Sequence, residues 1–324
     1  MSIRFVASAL VGLTALWPVS ATAQPYPSRP VRLLVGYAPG GPTDILARLI
    51  GPTLAAELGQ QVIIENRPGA SANIAGDAVA KSPPDGYALL FGDIVLTVNP
   101  ALFKALPFDA VRDLVSVGMV AYAPVVLAVH PSTGANTVSE LVALARARPG
   151  QLNFGSAGSG SPPHLVGELF KASFRLDMAH VTYKGVGPAL IDLVGGRLSL
   201  MFVGVSAVKP HVDAARVRAL AISGKKRSAS LPLVPTFAEA GTPLPEIDFG
   251  AWWGVLAPAG TPRDVVLKIN QALGRALDSP ELRERLALVS IEASTGTPEE
   301  FATFMQSETR KWAGVVSRAR IQPE

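Results

Sequence analysis

The chain of 324 residues contains no cysteine, which excludes a disulfide framework, a lipid-anchored cysteine and cysteine-ligated zinc. Charge is scarce too, at 17% of residues. A net charge of +4 favours small anions but is too weak and dispersed to make a nucleic-acid footprint. The single dense basic cluster, Lys225-Lys226-Arg227, follows a strand-like run and reads as a solvated loop. Beyond the first two dozen residues no apolar run approaches the ~18 needed to cross a bilayer. Several chemical motifs are missing as well. There is no GxxxxGK[ST] phosphate loop, no GxGxxG with a downstream acid, no HExxH and no GxSxG nucleophile elbow. The four histidines, His130, His164, His180 and His211, sit at no zinc-ligand spacing, so neither a metal nor a cofactor is expected.

What is present begins with MSIRFVASALVGLTALWPVSATAQP. Arg4, the apolar stretch Phe5 to Val19 and the small-residue site Ala21-Thr22-Ala23 read as a signal peptide spanning residues 1–23. The expected product is exported, with the periplasm as its compartment. The remaining chain is long enough for two domains of ~100–200 residues each.

Apolar β-rich runs alternate with helical periodicity along most of the length. This pattern predicts an α/β protein with parallel sheets covered on both faces. Helices are expected over 44–58, 137–148, 163–174, 188–194 and 207–215, and throughout the last ~65 residues. Two Thr-Pro pairs, Thr261-Pro262 and Thr297-Pro298, are expected to cap the C-terminal helices, which should pack on the first domain. Two long strand candidates, VSVGMVAYAPVVLAVH and IDFGAWWGVLAP, are each long enough to run from one domain into another. The expected division is therefore residues 24–123 plus 250–324 as a discontinuous first domain, with 124–249 inserted as the second.

Three strand-to-helix loops draw attention. In GYAPGGPTDILARLI, Gly40 and Gly41 permit close backbone approach, and Thr43 or Asp44 can cap the helix. LNFGSAGSGSPPHLVGELF repeats the design with Ser156, Ser159, Ser161 and His164, and VTYKGVGPALIDLV does so with Tyr183. Free N–H groups at helix starts can donate to an oxyanion, and loops at the carboxyl ends of strands are where open α/β sheets bind ligands. A plain tight turn remains an alternative for any one of these loops. A hydrolase using Ser159 or Ser161 with His164 is the rival of another class. His164 also reads as a polar cleft wall, Tyr37 as an aromatic beside a ligand, and Trp252-Trp253 as packing at a domain junction. Asp93 either caps a loop or meets a polar or cationic ligand group.

The segments YPSRPVRLLVGYAPGGPTDILAR, VIIENRPGASANIAGDAVAKSPPDGYALLFG, VNPALFKALPFD, RPGQLNFGSAGSGSPPHLVGELFK and HVTYKGVGPALIDLVGGRLSLMF occur in this order. Together they make the chain resemble the periplasmic receptors of tripartite tricarboxylate transporters, the Bug family. The resemblance implies a two-domain Venus flytrap of the periplasmic-binding-protein type II fold. Such a protein is a non-enzymatic monomer that captures a small carboxylate and hands it to membrane subunits; a sensor subunit presenting ligand to a membrane kinase is a further alternative. It further implies that one ligand carboxylate meets Ala38, Gly40, Gly41, Thr43 and Asp44 on one side, with Ser156, Ser159, Ser161 and His164 closing from the other. Two positions depart from the family pattern. Gly36 replaces a common proline, and Val203-Gly204 stands where many relatives carry a polar pair, so the far end of the ligand is expected to be apolar or aromatic.

Overall fold

The computed structural model describes residues 26–158, 161–183, 185–244, 250–288 and 290–319. The expected signal peptide and Ser159 lie outside the described residues. The first half of the chain builds β1 (Val31–Val35), α1 (Pro42–Leu58), β2 (Val62–Asn66), α2 (Asn73–Ala80), β3 (Ala88–Asp93), α3 (Val95–Leu102) and β4 (Leu114–Ala123). It then builds β5 (Val125–Val129), α4 (Val138–Ala147), β6 (Asn153–Ser156), α5 (Pro162–Phe174), β7 (Ala179–Thr182) and α6 (Val186–Val194). After these come β8 (Leu200–Gly204), α7 (Val205–Asp213), β9 (Arg218–Ile222) and β10 (Ala251–Pro258). The chain closes with α8 (Arg263–Asp278), α9 (Pro280–Leu288), β11 (Glu292–Ala293) and α10 (Pro298–Ala319).

The strands form two sheets, ordered β11-β4-β10-β3-β1-β2 and β7-β6-β8-β5-β9. Both are mixed rather than parallel. β10 runs antiparallel to β3 and β4, and β5 runs antiparallel to β8 and β9. These are the strands that arrive from the other sheet, so they enter against the direction set by the strand–helix–strand units. The β4-to-β5 passage turns on Pro124, which has no N–H to continue a ladder. The next amide, Val125 N–H, is instead accepted by Ser223 Oγ at 2.9 Å. The returning chain packs directly on this passage. A Cβ on Gly250 would lie 2.7 Å from the Ala123 carbonyl oxygen and 2.5 Å from a Val125 methyl.

Helix ends follow local chemistry. α1 stops where Gly59 takes φ 71° and its N–H returns to the Ala55 carbonyl. At α10 the expected cap forms as a reciprocal pair: Thr297 Oγ1 accepts from Glu300 N–H at 3.1 Å, and Glu300 Oε2 accepts from Thr297 N–H at 2.8 Å. The other Thr-Pro pair differs. α8 begins one residue later, and the Thr261 hydroxyl donates to the Pro258 carbonyl at 2.7 Å, tying down the preceding turn.

α8 packs on α1 and β4, as expected for the C-terminal helices. α10 also packs on the first sheet's layer, against α3 and β4, and in addition reaches α5 of the second's. Its Phe301 and Phe304 meet the buried Trp252 edge-on, at ring-centroid distances of 5.7 and 5.5 Å. Phe301 can sit there because Gly254 leaves room, a Cβ at that position lying only 2.2 Å from the ring. One apolar cluster therefore runs from Leu34 and Leu90 through Trp312 to Leu127 and Phe154, joining both sheets.

Candidate functional site

A cavity of about 420 Å³ opens between the two sheets, against the passage Ala123-Pro124-Val125. Five helices begin on its wall: α1 at Pro42, α3 at Val95, α5 at Pro162, α6 at Val186 and α7 at Val205. Two come from the first sheet's layer and three from the second's. The opening N–H groups of a helix have no partner within it, so the positive ends of five helix dipoles converge on one space. α5 contributes its dipole but few donors, because Pro162 and Pro163 carry no N–H.

The first wall is organised around Asp93, which is 7% exposed. Its Oδ1 accepts from the Tyr37 hydroxyl at 3.1 Å and from Val95 N–H at 3.2 Å. Its Oδ2 accepts from the Thr43 hydroxyl at 3.1 Å, and Thr43 Oγ1 in turn accepts from Trp253 Nε1 at 3.0 Å. Burial pushes the Asp93 carboxyl above the usual carboxylate range, against the pull of its hydrogen bonds. Burial and the neighbouring Asp93 both raise the Tyr37 hydroxyl, which keeps it a donor.

Asp44 holds the glycine loop from behind. Its carboxylate accepts from Gly40 N–H at 2.9 Å, from Arg48 Nε at 3.0 Å and from Asn66 Nδ2 at 2.8 Å. The Arg48 bond, with help from Gly40 and Asn66, lowers its pKa to about 2. Gly40 takes φ 89°, a conformation that favours glycine. Neither Thr43 nor Asp44 caps α1: the N-cap is Gly41, with no side-chain cap bond.

In the serine loop the hydroxyls hold the turn together. Ser161 Oγ donates to the Gly158 carbonyl at 2.6 Å, and Ser156 Oγ accepts from Gly158 N–H at 3.2 Å. Ser156 also shares a 2.7 Å hydrogen bond with His180 Nε2. The rings of His180 and His164 stack at 3.9 Å between centroids, and both stack on Phe154. Burial lowers the pKa of each histidine to about 4. Ser156 is fully buried, so its pairing with a histidine offers no reachable nucleophile. Tyr183 donates its hydroxyl to Asp192 at 2.8 Å.

Of the residues expected to meet a ligand, Tyr37, Gly41, Thr43 and Asp93 line the cavity. Ala38, Gly40, Asp44, Ser156, Ser161, His164 and Tyr183 do not. Sequence reasoning missed Val95, Pro124, Val186, Val205, Ser206 and Trp253, all on the wall. The tryptophans part company because successive strand residues face opposite sides: Trp252 enters the core while Trp253 faces the cavity. Gly204 lines the cavity with open space beyond it, whereas Val203 is buried in the second sheet's core. Among the described residues, no group of three or more histidines or acids is placed to hold a metal, and no helix is long and apolar enough to cross a membrane.

Comparison with known proteins places these features in context. The model of the tripartite tricarboxylate transporter family receptor matches residues 46–321. BugT of Bordetella pertussis is 38% identical, over 96% of this chain and 94% of that protein. The structure of Rpa4515 from R. palustris with adipate superposes with a TM-score of 0.73 at 35% identity, covering 92% of this chain and all of that one. MatC from Rhodopseudomonas palustris with bound malate gives a TM-score of 0.70 at 34% identity, covering 90% of this chain and all of that one.

Proposed function

The chain belongs to the family of tripartite tricarboxylate transporter receptors, and from that premise we propose that it captures a small organic carboxylate in the cavity between its two sheets. The observation that carries this reading is the convergence of five helix starts, from both sheets, on one space. Each helix terminus stabilises an anion by roughly 0.3–1 kcal/mol, while micromolar binding requires about 8 kcal/mol. No single loop suffices, so grip depends on both sides engaging the ligand together. Adipate and malate in the two related structures support the carboxylate class.

The division into residues 24–123 plus 250–324 and residues 124–249 follows the two sheets. Closure turns on the paired passages at Pro124 and Gly250, with α10 spanning both sides as the fixed member. Ligand that bridges the walls shifts the population toward the closed form. The wall beyond Asp93 is apolar, with Pro124, Val125, Val186 and Val205, and takes the non-polar part of the ligand. The protein is a binder rather than an enzyme: Ser156 and Ser161 serve the loop's own turn. It acts in the periplasm after loss of residues 1–23, as a monomer, delivering ligand to membrane subunits.

A thermal-shift screen of mono-, di- and tricarboxylates tests this reading. An acid present at ~100 times its Kd adds about 2.7 kcal/mol of stability, with no product formed. A screen in which no carboxylate shifts the transition, or in which an added ester is turned over, contradicts it.

A further inference from the structure

Resting on that reading, we propose that Asp93 is a specificity-determining residue that selects acids carrying a hydroxyl or ammonium donor away from the bound carboxylate, and disfavours a second carboxylate there. The geometry behind this is an account of lone pairs. A carboxylate oxygen accepts two hydrogen bonds readily. Asp93 Oδ1 already has two donors, the Tyr37 hydroxyl and Val95 N–H. Oδ2 has one, the Thr43 hydroxyl, leaving a vacant acceptor position on a residue that lines the cavity. Thr43 cannot turn away, because Trp253 Nε1 fixes its oxygen from the other side.

Asp93 also fills the start of α3 with its own carboxylate, through the Val95 amide. The ligand's acid is thereby directed to the remaining helix starts, chiefly α1, α6 and α7. No lysine or arginine is among the described residues of the cavity wall to neutralise a second anion. Two carboxylates facing each other across the cavity repel, whereas an O–H or N–H donor fills the vacant acceptor position of Oδ2. Hydrogen bonds to charged groups are worth about 1.5–3 kcal/mol, or roughly one to two powers of ten in affinity.

Calorimetric titration of matched C4 and C6 acids tests the inference. The probes are butanoate, 4-hydroxybutanoate, 4-aminobutanoate and succinate, with hexanoate, 6-hydroxyhexanoate, 6-aminohexanoate and adipate as the longer series. In the wild type, the better-fitting series should favour a donor-bearing acid over its unsubstituted parent by ~10-fold or more, and over the diacid by a larger factor. Asp93→Asn should bring these ratios within ~3-fold and strengthen diacid binding relative to the unsubstituted acid. Asp93→Ser, smaller and also uncharged, should do likewise, which separates the effect from any loss of packing. A wild type that prefers the diacid, or a donor preference that survives in Asp93→Asn, overturns this inference and leaves the carboxylate reading standing. Failure of every acid to bind overturns both.

Discussion

Gly204→Phe should weaken carboxylate binding by at least ~100-fold, about 2.7 kcal/mol, while leaving the melting temperature close to that of the wild type. Gly204 ends β8 with φ −61° and ψ 145°, an extended conformation open to any residue. A Cβ there meets nothing within 4 Å, and the residue lines the cavity. The Cβ is therefore accommodated without a clash, and the ring it carries competes for ligand space. Gly204→Ala is the graded control, expected to change affinity by less than ~10-fold. Paired calorimetry and thermal unfolding separate the two effects. Normal affinity in Gly204→Phe would place the ligand elsewhere.

Acidification should bring the second large effect. The stacked His164 and His180 titrate near pH 4 in the folded protein, against ~6.5 for an unfolded histidine. Burial is the main cause for both, with Lys171 adding to it at His164 and the neighbouring His164 at His180. Between these values the unfolded chain binds protons that the native state refuses, so stability falls as pH drops from about 6.5 to 4. The slope is at most about 1.4 kcal/mol per pH unit for each histidine, and for the well-buried His164 the total is on the order of 2–3 kcal/mol. Below pH 4 the loss passes to Asp44, whose folded pKa lies near 2. Denaturant unfolding between pH 7 and 4 should show the decline, and His164→Gln with His180→Gln should flatten it. An unchanged slope in the double variant would assign the acid sensitivity to other groups.

Much of this architecture is legible in residue order. All the strands but the two-residue β11 fall on the apolar β-rich runs, and Pro124 marks the passage between sheets because proline cannot donate to a ladder. Glycine and proline also announce three of the loops on the cavity wall, before α1, α5 and α6. The other elements leave a weaker trace. α3, with the sequence VLTVNPAL, is nearly all apolar and holds Pro100, so it shows neither clear helical periodicity nor a clean start. The turns at Asp93-Ile94 and Gly204-Val205 carry a single glycine between them and give no loop signature.

Side-chain direction is harder still to read. Whether Asp44 points to a ligand or to its own loop depends on Asn66, which β2 brings alongside from 22 residues away. The serine hydroxyls look like a ligand cradle in sequence, yet Ser156 and Ser161 close on Gly158. Tyr183 likewise turns to Asp192 on the following helix. Such choices are made by tertiary neighbours, not by local pattern.

The central claim is that the cavity holds its ligand by a carboxylate set against helix starts from both sheets. Calorimetric titration of the best acid from the screen, alongside its primary amide, tests it most directly. The account predicts that the amide binds at least ~100-fold more weakly, since helix termini reward a full negative charge. Equal affinity of acid and amide would contradict it.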